Sequence, residues 1–208
     1  MSSTSSTMHV GQAIVSALQA HAVKRVFEVP GESFLPVLDG LYKTDIETIV
    51  CRHEGGATYM AEAHGKLTNT PGVAMVTRGP GAANAFVGIH TAWQDATPLV
   101  LFVGLIPNSD RDRESFQEFD PKAWFGSQTK RVFVLDDPTR TQEIVAQAFH
   151  SATSGRPGPV VIGLPEDVLY EPFDGIEAAP IPVSSGAVST ADIEFLQREL
   201  DNSQRPVL

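Results

Sequence analysis

Val50-Cys51-Arg52-His53-Glu54-Gly55-Gly56-Ala57 is the stretch on which the reading of this chain turns. Upstream, Glu47 to Cys51 is a short run rich in β-formers. Downstream, Ala57, Met60, Ala61, His64 and Leu67 recur at helical spacing, so a strand gives way at once to a helix running to about Leu67. Glu54 therefore falls at the carboxyl end of a strand, where open α/β sheets place their ligands. A carboxylate there also suits the positive end of its own helix dipole, so the position alone does not assign a role.

The same grammar repeats along the chain. A helix over residues 9 to 21 carries Val10, Ala13, Ile14, Ala17 and Leu18 on one face. Arg25 to Val29 is a strand that enters the turn Pro30-Gly31-Glu32-Ser33, and a helix opens at Phe34. Gly72 to Thr77 is a third strand, followed by Arg78-Gly79-Pro80-Gly81 and a helix with Ala82, Phe86, Ile89 and Trp93 on one side. Pro98 to Gly104 shows no polar alternation, as expected of a central strand covered on both faces. Residues 105 to 128 break the rhythm with a charged loop, and a length of irregular chain like this is either functional or disordered. Strands at 131 to 135 and 160 to 164 flank a helix introduced by Asp137-Pro138 and striped by Ile144, Val145, Ala148 and Phe149. Six alternations imply an α/β fold: a doubly wound, mostly parallel six-stranded sheet with helices on both faces.

Residues 1–8 read as a disordered Ser/Thr leader without the apolar core of a signal peptide. The sheet domain should occupy 9–170, and 171–188 has the proline and small-residue composition of a linker. In 189–208, Ser189 to Asp192 form a capping box for a helix carrying Ile193, Leu196 and Leu200. Arg205 to Leu208 then read as the first residues of a strand, as if a second domain had been started and left unfinished. A net charge of -10 argues against a nucleic-acid groove. No apolar run of about 18 residues offers a membrane span. The single cysteine, Cys51, excludes an internal disulfide or a cysteine metal cage, and no metal ligands are assigned. The expected compartment is the cytoplasm.

Three strand ends carry distinctive turns: Pro30-Gly31-Glu32, His53-Glu54 and Thr77-Arg78-Gly79-Pro80-Gly81. The third feeds a helix N-terminus but lacks the Lys and Ser/Thr of a P-loop, and no GxGxxG is present, so a nucleotide site is poorly supported. Taken together, Val-Pro-Gly-Glu, Cys-Arg-His-Glu-Gly-Gly-Ala, Thr-Arg-Gly-Pro-Gly-Ala-Ala-Asn, Phe-Gln-Glu and Ser-Gly-Arg-Pro-Gly-Pro-Val resemble the acetolactate-synthase-like branch of thiamine-diphosphate enzymes over residues 9 to 170. The resemblance implies a pyrimidine-binding domain, with Glu54 as the glutamate hydrogen-bonded to the cofactor's aminopyrimidine. Protonating that ring favours its imino form, which takes the proton from the thiazolium carbon that attacks a 2-keto acid; the protein supplies placement and protonation.

The resemblance further implies that Pro30, Gly31, Glu32, Thr77, Pro80, Gly81 and Asn84 line the cofactor cleft, and that Phe116, Gln117 and Lys130 lie on the substrate side. Each has a plainer reading. Gly31 and Glu32 could be turn chemistry, Asn84 a helix-surface amide, Phe116 a loop anchor and Lys130 a solvated strand-end lysine. His53 would be a packed, hydrogen-bonded histidine and Cys51 a buried small hydrophobe, while Trp93, Phe86 and Phe149 would be core. Leu105 stands where many family members have Gln, and Glu166 where authentic acetolactate synthases usually have Lys. The family's diphosphate and Mg2+ motif, Gly-Asp-Gly ending in Asn-Asn, has no counterpart here. The implied partners are a 2-keto acid, a second copy in a homodimer or homotetramer formed through this domain, and the diphosphate-binding domain of another subunit. The alternatives are a natural separate subunit of a two-chain decarboxylase and a non-catalytic interaction module. Whether FAD binds a central domain is left open.

Overall fold

The computed structural model describes residues 8–184 and 186–207. The expected leader lies outside the described residues except for Met8, whose carbonyl accepts from Phe173 N at 2.8 Å. Six strands form one sheet: β1 (Arg25–Glu28), β2 (Glu47–Val50), β3 (Gly72–Val76), β4 (Leu99–Leu105), β5 (Arg131–Val134) and β6 (Pro159–Pro165). Their order is β2-β1-β3-β4-β6-β5 and every pair is parallel. The helices are α1 (Val10–Ala20), α2 (Leu35–Tyr42), α3 (Glu54–Thr68), α4 (Gly79–Gln94), α5 (Pro121–Phe125), α6 (Thr141–Thr153) and α7 (Thr190–Asn202).

Side-chain alternation along the central strands divides the core into two layers. Val73, Met75, Val100, Phe102, Val160 and Ile162 point to the face covered by α1, α2 and α6. Ala74, Val76, Leu99, Leu101, Val103 and Val161 point to the face covered by α3, α4 and α5. Strands β3, β4 and β6 are buried along their whole length, which explains their lack of polar alternation. Burying each such aliphatic side chain contributes about 1.5–3 kcal/mol against chain entropy.

The strand order reverses between β1 and β3, so the carboxyl ends of these two strands flank the topological switch point. One face there is built by α3 and α4, which meet closely where the Thr58 side chain packs on Gly88. A Cβ on Gly88 would lie 2.5 Å from Thr58 Cβ and 2.4 Å from its hydroxyl. That hydroxyl donates across the seam to Ala85 O at 3.1 Å.

Several elements differ from expectation. Helix α4 begins at Gly79 rather than near Ala82, because Pro80 falls in its first turn, where its missing N–H costs nothing. The irregular span contains a 3-10 turn at Asn108–Asp110 and the short helix α5, capped by Asp120, whose carboxylate accepts from Lys122 N and Ala123 N. Packing continues past Tyr170. His9 and Pro172 form an antiparallel bridge, Phe173 is buried, and Gln142 Oε1 accepts from Ala178 N. Helix α7 has the expected Ser189 cap, yet Ile193, Leu196 and Leu200 remain exposed. The strand expected at the end is not formed: Arg205 to Val207 are irregular, with no strand beside them to complete their hydrogen bonds among the described residues, and Leu208 lies outside those residues. Phe149 is core, whereas Trp93 and Phe86 are half-buried, Trp93 under the Arg156 guanidinium at 5.6 Å.

Glu28, the last residue of β1, is buried, and its Oε2 meets no partner among the described residues. Burial pushes its carboxyl pKa from 4.5 up to about 7. Between those values the folded chain holds a proton that the unfolded chain has released, so stability falls as pH rises through that window. From below the window to above it the loss is on the order of 3 kcal/mol, and Glu28→Gln should remove it. Urea midpoints for both proteins at about pH 4.5 and about pH 8 measure this; equal pH dependence would refute it. Gly88→Ala should force α3 and α4 apart and lower stability by about 1–3 kcal/mol, read from the same denaturation curves.

Candidate active site

Glu54 is the first residue of α3, and the chain reaches it through an extended His53. His53 is exposed rather than packed; its Nδ1 accepts from Gly55 N at 3.0 Å and so caps the helix that Glu54 opens. The half-buried Glu54 carboxylate looks across the seam to α4, where Asn84 Nδ2 donates to Oε2 at 3.0 Å. Oε1 lies 3.4 Å from the point where a side chain on Gly81 would begin. The hydrogen bond to Asn84 therefore aims one oxygen and leaves the other beside a bare stretch of backbone. Asn84 is a helix-surface amide with a partner that matters.

The turn after β1 leans over the ends of β3 and β4. Ser33 and Thr77 share a hydroxyl hydrogen bond at 2.9 Å. A Cβ on Gly31 would lie 2.6 Å from Thr77 Cβ, and one on Gly104 would lie 1.9 Å from Ser33 Oγ. Gly31 has φ -148°, so its glycine is required by closeness and not by handedness. Most of the turn glycines are thus occupied by chain-to-chain contacts. At the third turn, Gly79 N donates to Gln117 O at 3.1 Å and Pro80 has no N–H. Two amides of that helix end are unavailable to an anion, in keeping with the weak case for a nucleotide.

Nothing in the spacing of Thr77 to Gly81 singles out Arg78, yet it is the most buried cation at this edge. Its side chain is 9% exposed, with Nη1 donating to Glu32 Oε1 at 2.8 Å and Nη2 paired to Glu166 Oε2. Burial opposes the charge, but the hydrogen bonds to Glu32 and Glu166 outweigh it and hold the guanidinium pKa above its usual value. Glu32, a candidate from the first turn, therefore spends one carboxylate oxygen on Arg78. In the sequence Glu166 stands out only as a departure from the pattern the resemblance implies, and Arg78 does not stand out at all.

The loop before α5 is strapped to this edge through Gln117. Asp112, Glu114 and Gln117 all have positive φ, and Glu118 holds the bend by accepting from Asp112 N at 2.6 Å and Ser115 N at 2.9 Å. Phe116 is 77% exposed and anchors nothing; Phe119 does that work, packed on Trp124 at 4.8 Å. A cleft of about 350 Å3 lies beside the loop, lined among others by Leu105, Gln117, Phe119 and Val134. Glu54 does not line it.

Lys130 is held apart from the other candidates. It precedes β5, at the opposite, amino edge of the sheet, and its Nζ donates to Ser154 O. Burial, and secondarily Arg156, lower its pKa. Cys51 is half-buried, its thiol pKa raised by burial. No group of three or more His, Cys, Asp or Glu suited to a metal occurs among the described residues. No helix among them is long and apolar enough to cross a membrane.

Known proteins are similar to this chain in sequence. Residues 8–124 fit the family model described as thiamine pyrophosphate enzyme, N-terminal TPP binding domain. A probable acetolactate synthase large subunit of Methanocaldococcus jannaschii is 40% identical over 84% of this chain and 29% of its own length. The acetolactate synthase isozyme 2 large subunit of Escherichia coli is 33% identical over 97% of this chain and 37% of its own. A mitochondrial acetolactate synthase of Schizosaccharomyces pombe is 39% identical over 86% and 26% respectively. The chain thus spans about a third of the length of these relatives. It belongs to the thiamine pyrophosphate enzymes, as the N-terminal TPP-binding domain of an acetolactate-synthase-like member.

Proposed function

We propose that this domain serves an enzyme that decarboxylates or joins 2-keto acids, with Glu54 as its catalytic residue on the aminopyrimidine of thiamine diphosphate. The observation that carries the reading is the divided use of the Glu54 carboxylate, one oxygen fixed by Asn84 and the other free beside Gly81. That arrangement fits a flat, hydrogen-bonding ring, which needs a carboxyl oxygen on its edge and no side chain against its face. When bound, thiamine diphosphate supplies the carbon nucleophile for the substrate carbonyl. Glu54 Oε1 holds the proton shared with the ring, and Asn84 fixes the carboxylate so that no reorientation is needed during turnover.

Pro30, Gly31, Thr77, Pro80 and Gly81 form the wall of the cleft, and Glu32 braces it through Arg78. Phe116 and Gln117 face the substrate, a role supported by the strained backbone at Gln117 and the unburied Phe116 ring. Lys130 lies at the other edge of the sheet, donating to Ser154 O, away from Glu54. Mg2+ and the diphosphate group belong to a diphosphate-binding domain of another subunit, so this chain alone should show no turnover. The proposed compartment is the cytoplasm, in keeping with a lone thiol.

The proposed oligomer is a homodimer or homotetramer formed through α3 and α4. Tyr59, Met60 and Val87 support it: they lie on these two helices and are 43%, 39% and 43% exposed. Met60→Lys should shift the protein toward monomer in sedimentation velocity, and an unchanged distribution would remove this face from the interface.

Glu54→Gln in the enzyme complete with its diphosphate domain should cut turnover of pyruvate about a hundredfold or more at saturating cofactor. The melting temperature should change little, because Gln can still accept from Asn84. Equal turnover in the variant would overturn the catalytic assignment.

A further inference from the structure

We propose that Arg78 is a positioning residue: a buried clamp that fixes the turn after β1 and the end of β6 against the turn after β3, and thereby sets the width of the cofactor cleft. The inference rests on the function proposed above.

The clamp joins elements that the sheet does not join. Strands β1 and β3 are neighbours, but β4 lies between β3 and β6. The guanidinium reaches Glu32 on one side and, over the end of β4, Glu166 on the other. Backbone ladders fix the strands up to Val76 and Glu28 but not the turns beyond them. Those turns are held by the Ser33–Thr77 hydrogen bond, by Gly79 N donating to Gln117 O, and by Arg78, which alone of these reaches the end of β6.

Electrostatics gives the clamp its sense. Two carboxylates flank one cation, and the cation is the buried member: Glu32 has a 69% exposed side chain and Glu166 a 26% exposed one. With Arg78 in place each carboxylate is drawn inward. Without it both lose the one cationic partner they have among the described residues and are better solvated facing outward. Arg78 Nε has no acceptor among the described residues, so the guanidinium is held by its two ion pairs alone.

The link to chemistry is short. Thr77, the hydrogen-bond partner of Ser33, also has its methyl 3.1 Å from the site of a Gly81 Cβ, and that site is 3.4 Å from Glu54 Oε1. Arg78 acts through this chain of contacts on the space beside Oε1 and does not touch Glu54. Its effect should fall on cofactor affinity and leave the proton chemistry alone.

The test uses the complete enzyme with Mg2+, thiamine diphosphate and pyruvate. The half-saturating concentration of thiamine diphosphate and kcat at saturation are measured for R78M, R78K, E166Q and E54Q. R78M should raise the half-saturating concentration about tenfold with kcat within about threefold of the parent. E166Q, at a partly exposed position that tolerates the change if R78M fails to fold, should shift it in the same direction by less. R78K should recover part of the affinity, because an ammonium lacks the planar fork that meets two carboxylates at once. If R78M and E166Q lower the melting temperature but leave the cofactor dependence unchanged, Arg78 is a brace only and the proposal fails. If E54Q turns over like the parent, the proposed function itself fails; an effect of E54Q on kcat alone, with no effect of Arg78 on affinity, sinks the clamp and spares the function.

Discussion

Burial of β3, β4 and β6 on both faces is the constraint from which the rest of the molecule follows. Strands without a polar face must be sandwiched between helix layers, and each helix must cross back over the sheet before the next strand can begin. All strands then run the same way, and their carboxyl ends gather along one edge. A residue placed just after a strand is delivered to that edge whatever its chemistry. The site is thus a consequence of topology first and of side-chain identity second.

The edge resolves its buried charges in two ways. Glu28, alone beneath the sheet surface, meets the cost of desolvation with a raised pKa that favours its neutral form. Arg78 cannot lose its proton at any physiological pH and is instead supplied with two carboxylates. The contrast separates two kinds of buried ionisable group. An unpartnered one answers to pH, whereas a paired one answers to mutation of its partners.

The fold was legible because its signals are local. Uninterrupted apolar strands, the Asp137-Pro138 helix start and the turn after each strand all act within a few residues. Glu54 was legible as a strand-to-helix junction, and its family motif added the chemistry. What could not be read was side-chain pairing across the sheet edge. The Arg78–Glu166 contact spans 88 positions, and its two residues declare nothing to each other in the sequence. Lys130 shows the converse: a motif match placed it at the site, while the direction of β5 puts it at the opposite edge. The space beside Gly31 and Gly104 is filled by Thr77 and Ser33. A glycine records that something comes close, and only the fold says what.

The seam between α3 and α4 explains how a carboxylate can be oriented without being enclosed. Glu54 and Asn84 sit on different helices, and their separation is fixed by the contact of Thr58 with Gly88 one turn deeper. Orientation of Oε2 is therefore a property of this domain by itself. Enclosure is not, since the carboxylate remains half-exposed and lies outside the 350 Å3 cleft. On the proposed function, the second subunit would contribute desolvation and the diphosphate grip to a carboxylate already aimed. A surface that only excludes water can tolerate broad sequence change, whereas one that must aim a proton cannot. The aiming element and the enclosing element are thus placed on different surfaces, each answering to its own constraint.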